Sequence, residues 1–290
     1  MTRKTSPCSD PVILDQWHPI AVLEEVKPGV PGDTTVLGVD IGYRVENGRH
    51  TAWRCDDPTR DPLPVLPAYG YLWSSLGSPP EQLFKIPEYD EPDRRNIHAA
   101  TIGVHCSAPR AIENFLDMGH FPYVHTGILG IEPHTEVAEY DVSIEPTTNE
   151  IWATECFFYQ PLAAATAQDG QMSEYVYRVP HPYCVLLYKS CPLAPSRMDV
   201  IGLFARSVSD DYIEASMFLS LIDDNNSEAG IRRFQQTIFA QDKPILENQH
   251  PKLLPLDPRF ETPIRADKVA ITYRRWLTEL GVSYGVIRAA

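Results

Sequence analysis

The sequence predicts an α+β fold. Two observations carry this prediction: between residues 97 and 221 apolar or alternating runs recur between turn residues, and beyond residue 227 the pattern turns helical. Runs of the first kind mark an antiparallel sheet with a buried face. Strands first and helices last are the order expected of α+β architecture. No internal repeat is present.

The elements can be justified in turn. Residues 17–21 and 23–26 read as a first strand and a short turn, and residues 34–37 and 41–45 as two β runs. They lead to Glu46-Asn47-Gly48-Arg49, where Asn-Gly is a strong hairpin signal. A Pro-rich link over residues 58–67 runs into Tyr69-Gly70-Tyr71-Leu72-Trp73, and the proline- and acid-rich residues 79–92 read as a linker or surface loop. Strands are expected at residues 97–104, 136–144, 150–159, 173–179, 184–190, 198–207 and 213–221. Helices are expected at residues 227–241 and 243–249 and at about 266–280, the last stopped by Gly281. The result is a small β domain with its linker over residues 1–92 and a larger domain over residues 93–290.

A chain of 290 residues can bury a sizeable core, and its formal charge of −14, with no basic stretch to offset it, argues against a nucleic-acid partner. Residues 1–11 hold no apolar signal segment and no run approaches the length of a membrane span, so a cytoplasmic protein without a membrane partner is expected. The cysteines Cys8, Cys55, Cys106, Cys156, Cys184 and Cys191 are scattered and form no Cys-x-x-Cys pair. In that compartment they are expected as free thiols, with Cys184 and Cys191 placed to meet across a hairpin.

The chemistry concentrates in Asn114-Phe115-Leu116-Asp117-Met118-Gly119-His120-Phe121-Pro122-Tyr123-Val124-His125. An amide, a carboxylate and two imidazoles stand here among apolar residues that point to burial. If residues 110–120 form a helix, Asn114, Asp117 and His120 recur at three-residue spacing and share one face. Pro122 disfavours helix at Phe121 and ends the regular turn, which lets His125 return toward His120. Two neutral imidazoles brought together this way are ready metal ligands, and non-haem iron takes two histidines and one carboxylate on one face. The plainer reading is a pair of core histidines bonded to backbone.

The pattern Asn-x-x-Asp-x-x-His-x-x-x-x-His, preceded by Glu113 and followed by Thr126 and Gly127, resembles the iron site of the Rieske non-haem iron oxygenases. These are large subunits that hydroxylate, dihydroxylate or dealkylate aromatic compounds. The resemblance runs from Trp17 to Val286 and is strongest for the bacterial methylxanthine N-demethylases, in particular their short N7-demethylating branch. It implies a curved antiparallel sheet gripping a long helix. It implies a mononuclear Fe(II) held by His120 and His125, with Asn114 and Asp117 as catalytic residues, Asp117 bridging to the electron donor. The third ligand it implies is Asp242, since the segment from Phe234 to Gln249 resembles the family's late helix. Asp242 could instead cap a helix that starts at Lys243-Pro244, and Glu247 is the fallback ligand. Gln235 and Gln236 are expected to hydrogen-bond a small heterocyclic substrate. Some of Phe157, Phe158, Tyr159, Tyr175, Tyr177, Tyr183 and Tyr188 would line its cavity.

The chain departs from the family at one place. A Rieske cluster needs two Cys and two His ligands, carried in the family on Cys-x-His and Cys-x-x-His. Here the hairpin is followed by Trp53-Arg54-Cys55-Asp56-Asp57, and neither pair occurs anywhere. The expectation is an iron subunit with no iron–sulfur cluster of its own. It would draw electrons from NADH through a Rieske-containing reductase, within an oligomer or hetero-complex. The implied reaction is O2-dependent hydroxylation of an N-methyl carbon of a methylated xanthine or similar heterocycle, with release of formaldehyde. The competing expectation is a non-catalytic subunit that binds or stabilises a partner oxygenase or reductase. A hydrolase would need a nucleophile elbow or a Cys-His signature, and the sequence has neither.

Overall fold

The computed structural model describes residues 7–162, 170–191, 194–222 and 226–288, so residues 1–6 of the N-terminal stretch read above lie outside the described residues. A short helix α1 (Pro11–Leu14), capped by Asp10, leads into β1 (His18–Val22). Strands β2 (Gly32–Val36), β3 (Val39–Glu46) and β4 (Arg49–Arg54) form a three-stranded meander. Its second turn places Asn47 and Gly48 at φ of 49° and 75°, which is what a two-residue hairpin turn demands of both central positions. Strands β5 (Val65–Ala68) and β6 (Tyr71–Ser74) join β1 in a second small sheet, order β1-β6-β5.

The large sheet begins with β7 (Arg95–Val104), after which come the helices α2 (Ala108–Leu116) and α3 (Phe121–Val124). It is completed by β8 (Asp141–Ile144), β9 (Ile151–Gln160), β10 (Gln171–His181), β11 (Cys184–Cys191), β12 (Ala194–Ser207) and β13 (Ile213–Leu221). Its order is β7-β13-β12-β11-β10-β9-β8, antiparallel throughout. Helices α4 (Glu228–Asn248) and α5 (Lys268–Leu280) close the fold, and Gly281 stops α5 in the left-handed conformation, φ 80°. The expected α+β class and helix-gripping sheet are what the chain forms.

Both faces of the central strands are covered. Tyr175, Tyr177, Leu187, Leu203 and Met217 face a cavity beneath α2 and α4. Their neighbours Leu186, Tyr188, Val200, Phe204 and Phe218 pack in a second core with Trp17, Tyr71, Trp73 and Ile86. Side chains alternate along a strand, so a sheet covered on both faces reads as nearly unbroken apolar runs.

Three readings need correction. Residues 79–92 are more than a linker: Phe84 packs on Trp73 and Phe204, Tyr89 on Phe218, and Ile86 is buried. Prolines and acids there mask a few apolar anchors. Helix α4 runs unbroken through Pro244; the hydrogen bond that proline forgoes is offset by anchors on either side, Leu246 in the core and the Lys243 ammonium on the Gly103 carbonyl. Cys184 and Cys191 stand at opposite ends of β11, about 23 Å apart at the usual strand rise, and all six cysteines are free.

At the start of β1, His18 is fully buried and its Nε2–H donates to the Ile13 carbonyl at 2.9 Å. Burial pulls its pKa down to about 4, with the Arg206 charge adding to the effect and the Ile13 bond opposing it. His181, whose ring lies 6.1 Å away, is also held well below its ordinary value by burial. As pH falls below 6.5, the unfolded chain takes up protons that the folded chain refuses. Stability should therefore decline through that window, His18 alone contributing about 3 kcal/mol by pH 4. Urea titrations at pH 7 and 4.5 check this: His18→Gln should lose much of the difference, and an equal loss in both proteins would contradict it. Among the described residues no helix is long and apolar enough to cross a membrane.

Candidate metal centre

The segment that carries the site is not one helix. Helix α2 is capped by Ser107 and ends at Leu116, leaving Asp117 extended at φ −82°, ψ 117°. Its Oδ1 accepts the Gly119 N–H at 2.7 Å, a local side-chain turn that competes with helix continuation. Asn114, Asp117 and His120 therefore do not share a helical face as the spacing predicts. His120 instead begins α3, where Pro122 sits in the first turn. Proline is tolerated there because that N–H has no helical partner to lose, so Pro122 opens a helix rather than ending one. His125 caps the far end of α3, and the two imidazoles come to lie 5.0 Å apart between ring centres.

Three atoms converge. His120 Nε2 and His125 Nε2 are 3.1 Å apart, and Asp242 Oδ1 lies 3.3 Å from the first and 3.0 Å from the second. His120 Nδ1 faces Asp117 Oδ2 at 3.1 Å, and His125 Nδ1 faces Gln241 Oε1 at 2.9 Å. Those oxygens only accept, so each ring, when neutral, carries its hydrogen on Nδ1 and turns its Nε2 lone pair inward. Asp242 Oδ1 is buried without a hydrogen-bond donor. Three lone pairs at such distances repel unless a cation lies between them.

The spacing fits a metal ion. Bonds of about 2.1 Å to imidazole nitrogen put neighbouring ligand atoms of an octahedral ion about 3.0 Å apart. Two His and one Asp on a single face is the donor set of non-haem Fe(II) oxygenases, which leave other positions open. The electrostatics agree. Burial lowers His120's affinity for a proton, yet the carboxylates of Asp117 and Asp242 outweigh burial and push its pKa up to about 9, so without a metal a proton supplies positive charge that a bound cation would replace. Burial raises that of Asp242, but the two histidines more than reverse this and hold it below the ordinary carboxylate value. The pocket is built to hold positive charge. Among the described residues, His120, His125 and Asp242 are the group with ligand atoms within 4.8 Å of one another.

Asp242 does not cap a second helix, because α4 continues through it. Glu247 does not reach the site, since it pairs with Lys243 and accepts the His105 N–H. Gln241, beside Asp242, is the residue the sequence reading missed; a glutamine on a helix carries no signal until its partner is known. Gln241→Leu leaves the His125 tautomer unfixed and should weaken Fe(II) binding about 10- to 100-fold, read by anaerobic iron titration. Unchanged affinity would remove Gln241 from the site.

Two openings meet at these residues. A cavity of about 80 Å³ lies on one side, walled by Phe115, Phe121, Leu129, Ile201, Phe234, Ile238 and Phe239 as well as the sheet residues given above. Apart from the metal ligands, its lining includes the polar residues Asn114, Gln235 and Lys189. Gln235 thus reaches the cavity as expected. Gln236 does not: one residue further round the helix it is exposed and donates to the Ala99 carbonyl at 2.8 Å. Of the aromatics singled out, Tyr175 and Tyr177 line the cavity, Phe158 backs Phe121, Phe157 is exposed and Tyr188 belongs to the opposite face. On the other side a polar cleft of about 230 Å³ is lined by Asp117, His120, Glu261, Asp267, Arg110 and Arg274. Asn114 and His120 border both openings.

Residues 104–282 match the vanillate O-demethylase oxygenase C-terminal domain. The chain is 44% identical over 276 residues to the probable methylxanthine N7-demethylase NdmC of Pseudomonas sp. strain TJI-51, covering 95% of this chain and 97% of that one. It is 28% identical over 229 residues to the methylxanthine N1-demethylase NdmA of Pseudomonas putida, covering 73% of this chain and 58% of that one. In structure it is similar to NdmA of Pseudomonas putida CBB5 with caffeine, with a TM-score of 0.76 at 19% identity over 92% of this chain and 91% of the other. The fold is shared.

Proposed function

Because the chain belongs to the vanillate O-demethylase oxygenase C-terminal-domain family, within the Rieske-type oxygenases, we propose that it oxidatively removes a methyl group from a ring nitrogen of a methylated xanthine. The observation that carries this reading is the convergence of three bare ligand atoms beside an apolar cavity. A subunit that only bound a partner would have no use for a buried carboxylate oxygen facing two imidazole lone pairs.

Iron bound by His120, His125 and Asp242 would supply the activation of dioxygen and the oxidation of a C–H bond. The overall change is balanced: the N-methyl group, O2, two electrons and two protons give N-hydroxymethyl and water, and the N-hydroxymethyl group then releases formaldehyde and restores N–H. This chain's own residues do the positioning. Asp117 and Gln241 fix the two imidazoles, the apolar walls exclude water from the reacting carbon, and Gln235 offers an amide to a ring edge.

The electrons would come from a partner. Around Cys55 the chain spends its carboxylates locally: Asp56 pairs with Arg54, and Asp57 accepts the N–H groups of Thr59 and Asp61. What supports reading residues 1–92 as a β domain without a cluster is the lack of any Cys-x-His or Cys-x-x-His pair in the sequence, and what supports reading residues 93–290 as the iron domain is the group His120, His125 and Asp242. A Rieske-containing reductase oxidising NADH would then dock outside the chain. The test is reconstitution: Fe(II)-loaded protein, such a reductase, NADH and a methylxanthine should yield formaldehyde and demethylated xanthine in equal amounts. A two-iron cluster in the purified chain, or turnover with O2 and NADH when the reductase is left out, would overturn the reading.

A further inference from the structure

The apolar cavity and the polar cleft meet at the metal centre, and the residues common to both linings are Asn114 and His120. Neither ring nitrogen of His120 is spare: Nδ1 is bonded to Asp117 Oδ2, and Nε2 is one of the three converging ligand atoms. Asn114 stands in the last turn of α2, where its backbone carbonyl accepts the Asp117 N–H. Among the described residues nothing bonds its side-chain amide, and the amide is not sealed from the openings. It is the uncommitted polar group at the junction.

The two openings differ in kind. Apolar walls such as Phe115, Leu187, Ile201 and Phe239 keep the cavity dry, so nothing inside it can renew a proton from solvent. The cleft, at about 230 Å³, has room for several waters. Its charged groups are engaged with one another: Arg110 and Arg274 pair with Glu113 and Glu261, and Asp117 accepts from Gly119 and His120. Each methyl oxidation consumes two protons, and the cleft is the wet side from which they can come. An amide offers two donors and an acceptor and stays neutral, so it can hold a water between cleft and metal without adding charge beside the Asp242 carboxylate. Asparagine is a poor helix former and leucine a good one, so helix α2 alone gives no reason for it.

We propose that Asn114 is a positioning residue for proton delivery: its amide holds a water that links the polar cleft to the open side of the metal, and the protons of the reaction arrive along that route while substrate fills the cavity. The balance is unchanged. O2 takes two electrons from the partner, two from the C–H bond and two protons from the cleft water, and Asn114 neither gives nor keeps one. The inference rests on the reading under Proposed function and assigns the entry route of the protons in that reaction.

Mn(II) in place of iron makes the water visible without turnover, because a paramagnetic ion speeds the relaxation of water protons that exchange at it. With 7-methylxanthine in the cavity, the wild type should keep a relaxation enhancement that Asn114→Leu loses and that Asn114→Ser, with a hydroxyl at the same place, largely regains. In the iron protein supplied with reductase, NADH and O2, Asn114→Leu should release formaldehyde about tenfold more slowly or worse, with a larger solvent deuterium isotope effect, and Asn114→Ser should recover both. If the wild type fails to hold the metal or the xanthine, the reading of the site falls and this inference with it. If the wild type holds both yet shows no enhancement, or if Asn114→Leu keeps it, only the route through Asn114 falls. Equal losses in the leucine and serine variants would mark Asn114 as structural and overturn the route as well. The wild-type measurement decides even where the leucine variant does not fold.

Discussion

His125→Ala should abolish iron binding and turnover together, while His125→Ala protein still folds. His125 is 1% exposed and supplies one of three inward lone pairs. Without it two ligands remain, and iron content should drop below about one tenth of an atom per chain, since a site with too few ligands competes poorly with water. Folding should survive because the lone-pair crowding with Asp242 and His120 is relieved at the same time. His120→Ala should behave alike. Iron analysis of protein purified without oxygen, beside a circular dichroism spectrum, checks both; full iron in either variant removes that residue from the ligand set.

Asp117→Asn is expected to separate iron binding from electron delivery. Asp117 uses both oxygens: Oδ1 takes the Gly119 N–H and Oδ2 takes the His120 Nδ1–H. Asparagine has one acceptor where the carboxylate has two, so one of these bonds must go, and the negative charge beside the iron ligand goes with it. The side chain is 33% exposed and faces the polar cleft rather than the cavity. Iron and substrate should therefore still bind, within about tenfold of wild type. Transfer of electrons from a reduced Rieske partner, followed by rapid mixing, should slow by about 100-fold. An unchanged rate would confine Asp117 to holding the turn.

How much of this was legible in the sequence depends on distance along the chain. His120 and His125 are neighbours, so spacing alone brings them together, although the break at Asp117 was hidden. Asparagine, aspartate and glycine at 114–119 suit a helix end and a helix face equally until the Asp117–Gly119 bond decides. Asp242 was reached only through resemblance, because nothing local ties it to α3. Gln241 was invisible for the same reason: it is ordinary in its own segment and acquires meaning from His125 across from it. Pro244 misled because local rules weigh a proline against its helix without the contacts that hold the helix on either side. The sheet was read well, since alternation and apolar runs are properties of each strand taken alone.

The central claim is that His120, His125 and Asp242 hold an iron competent to oxidise an N-methyl group of a substrate in the adjoining cavity. Hydrogen peroxide tests it without any partner, because it brings the oxygen atom and both electrons needed to turn N-methyl into N-hydroxymethyl with water as the by-product. Fe(II)-loaded protein given 7-methylxanthine and peroxide should release formaldehyde in proportion to bound iron, and the His125→Ala protein should release none. Formaldehyde that fails to appear while iron and xanthine are both bound, or that appears equally from His125→Ala, would contradict the account.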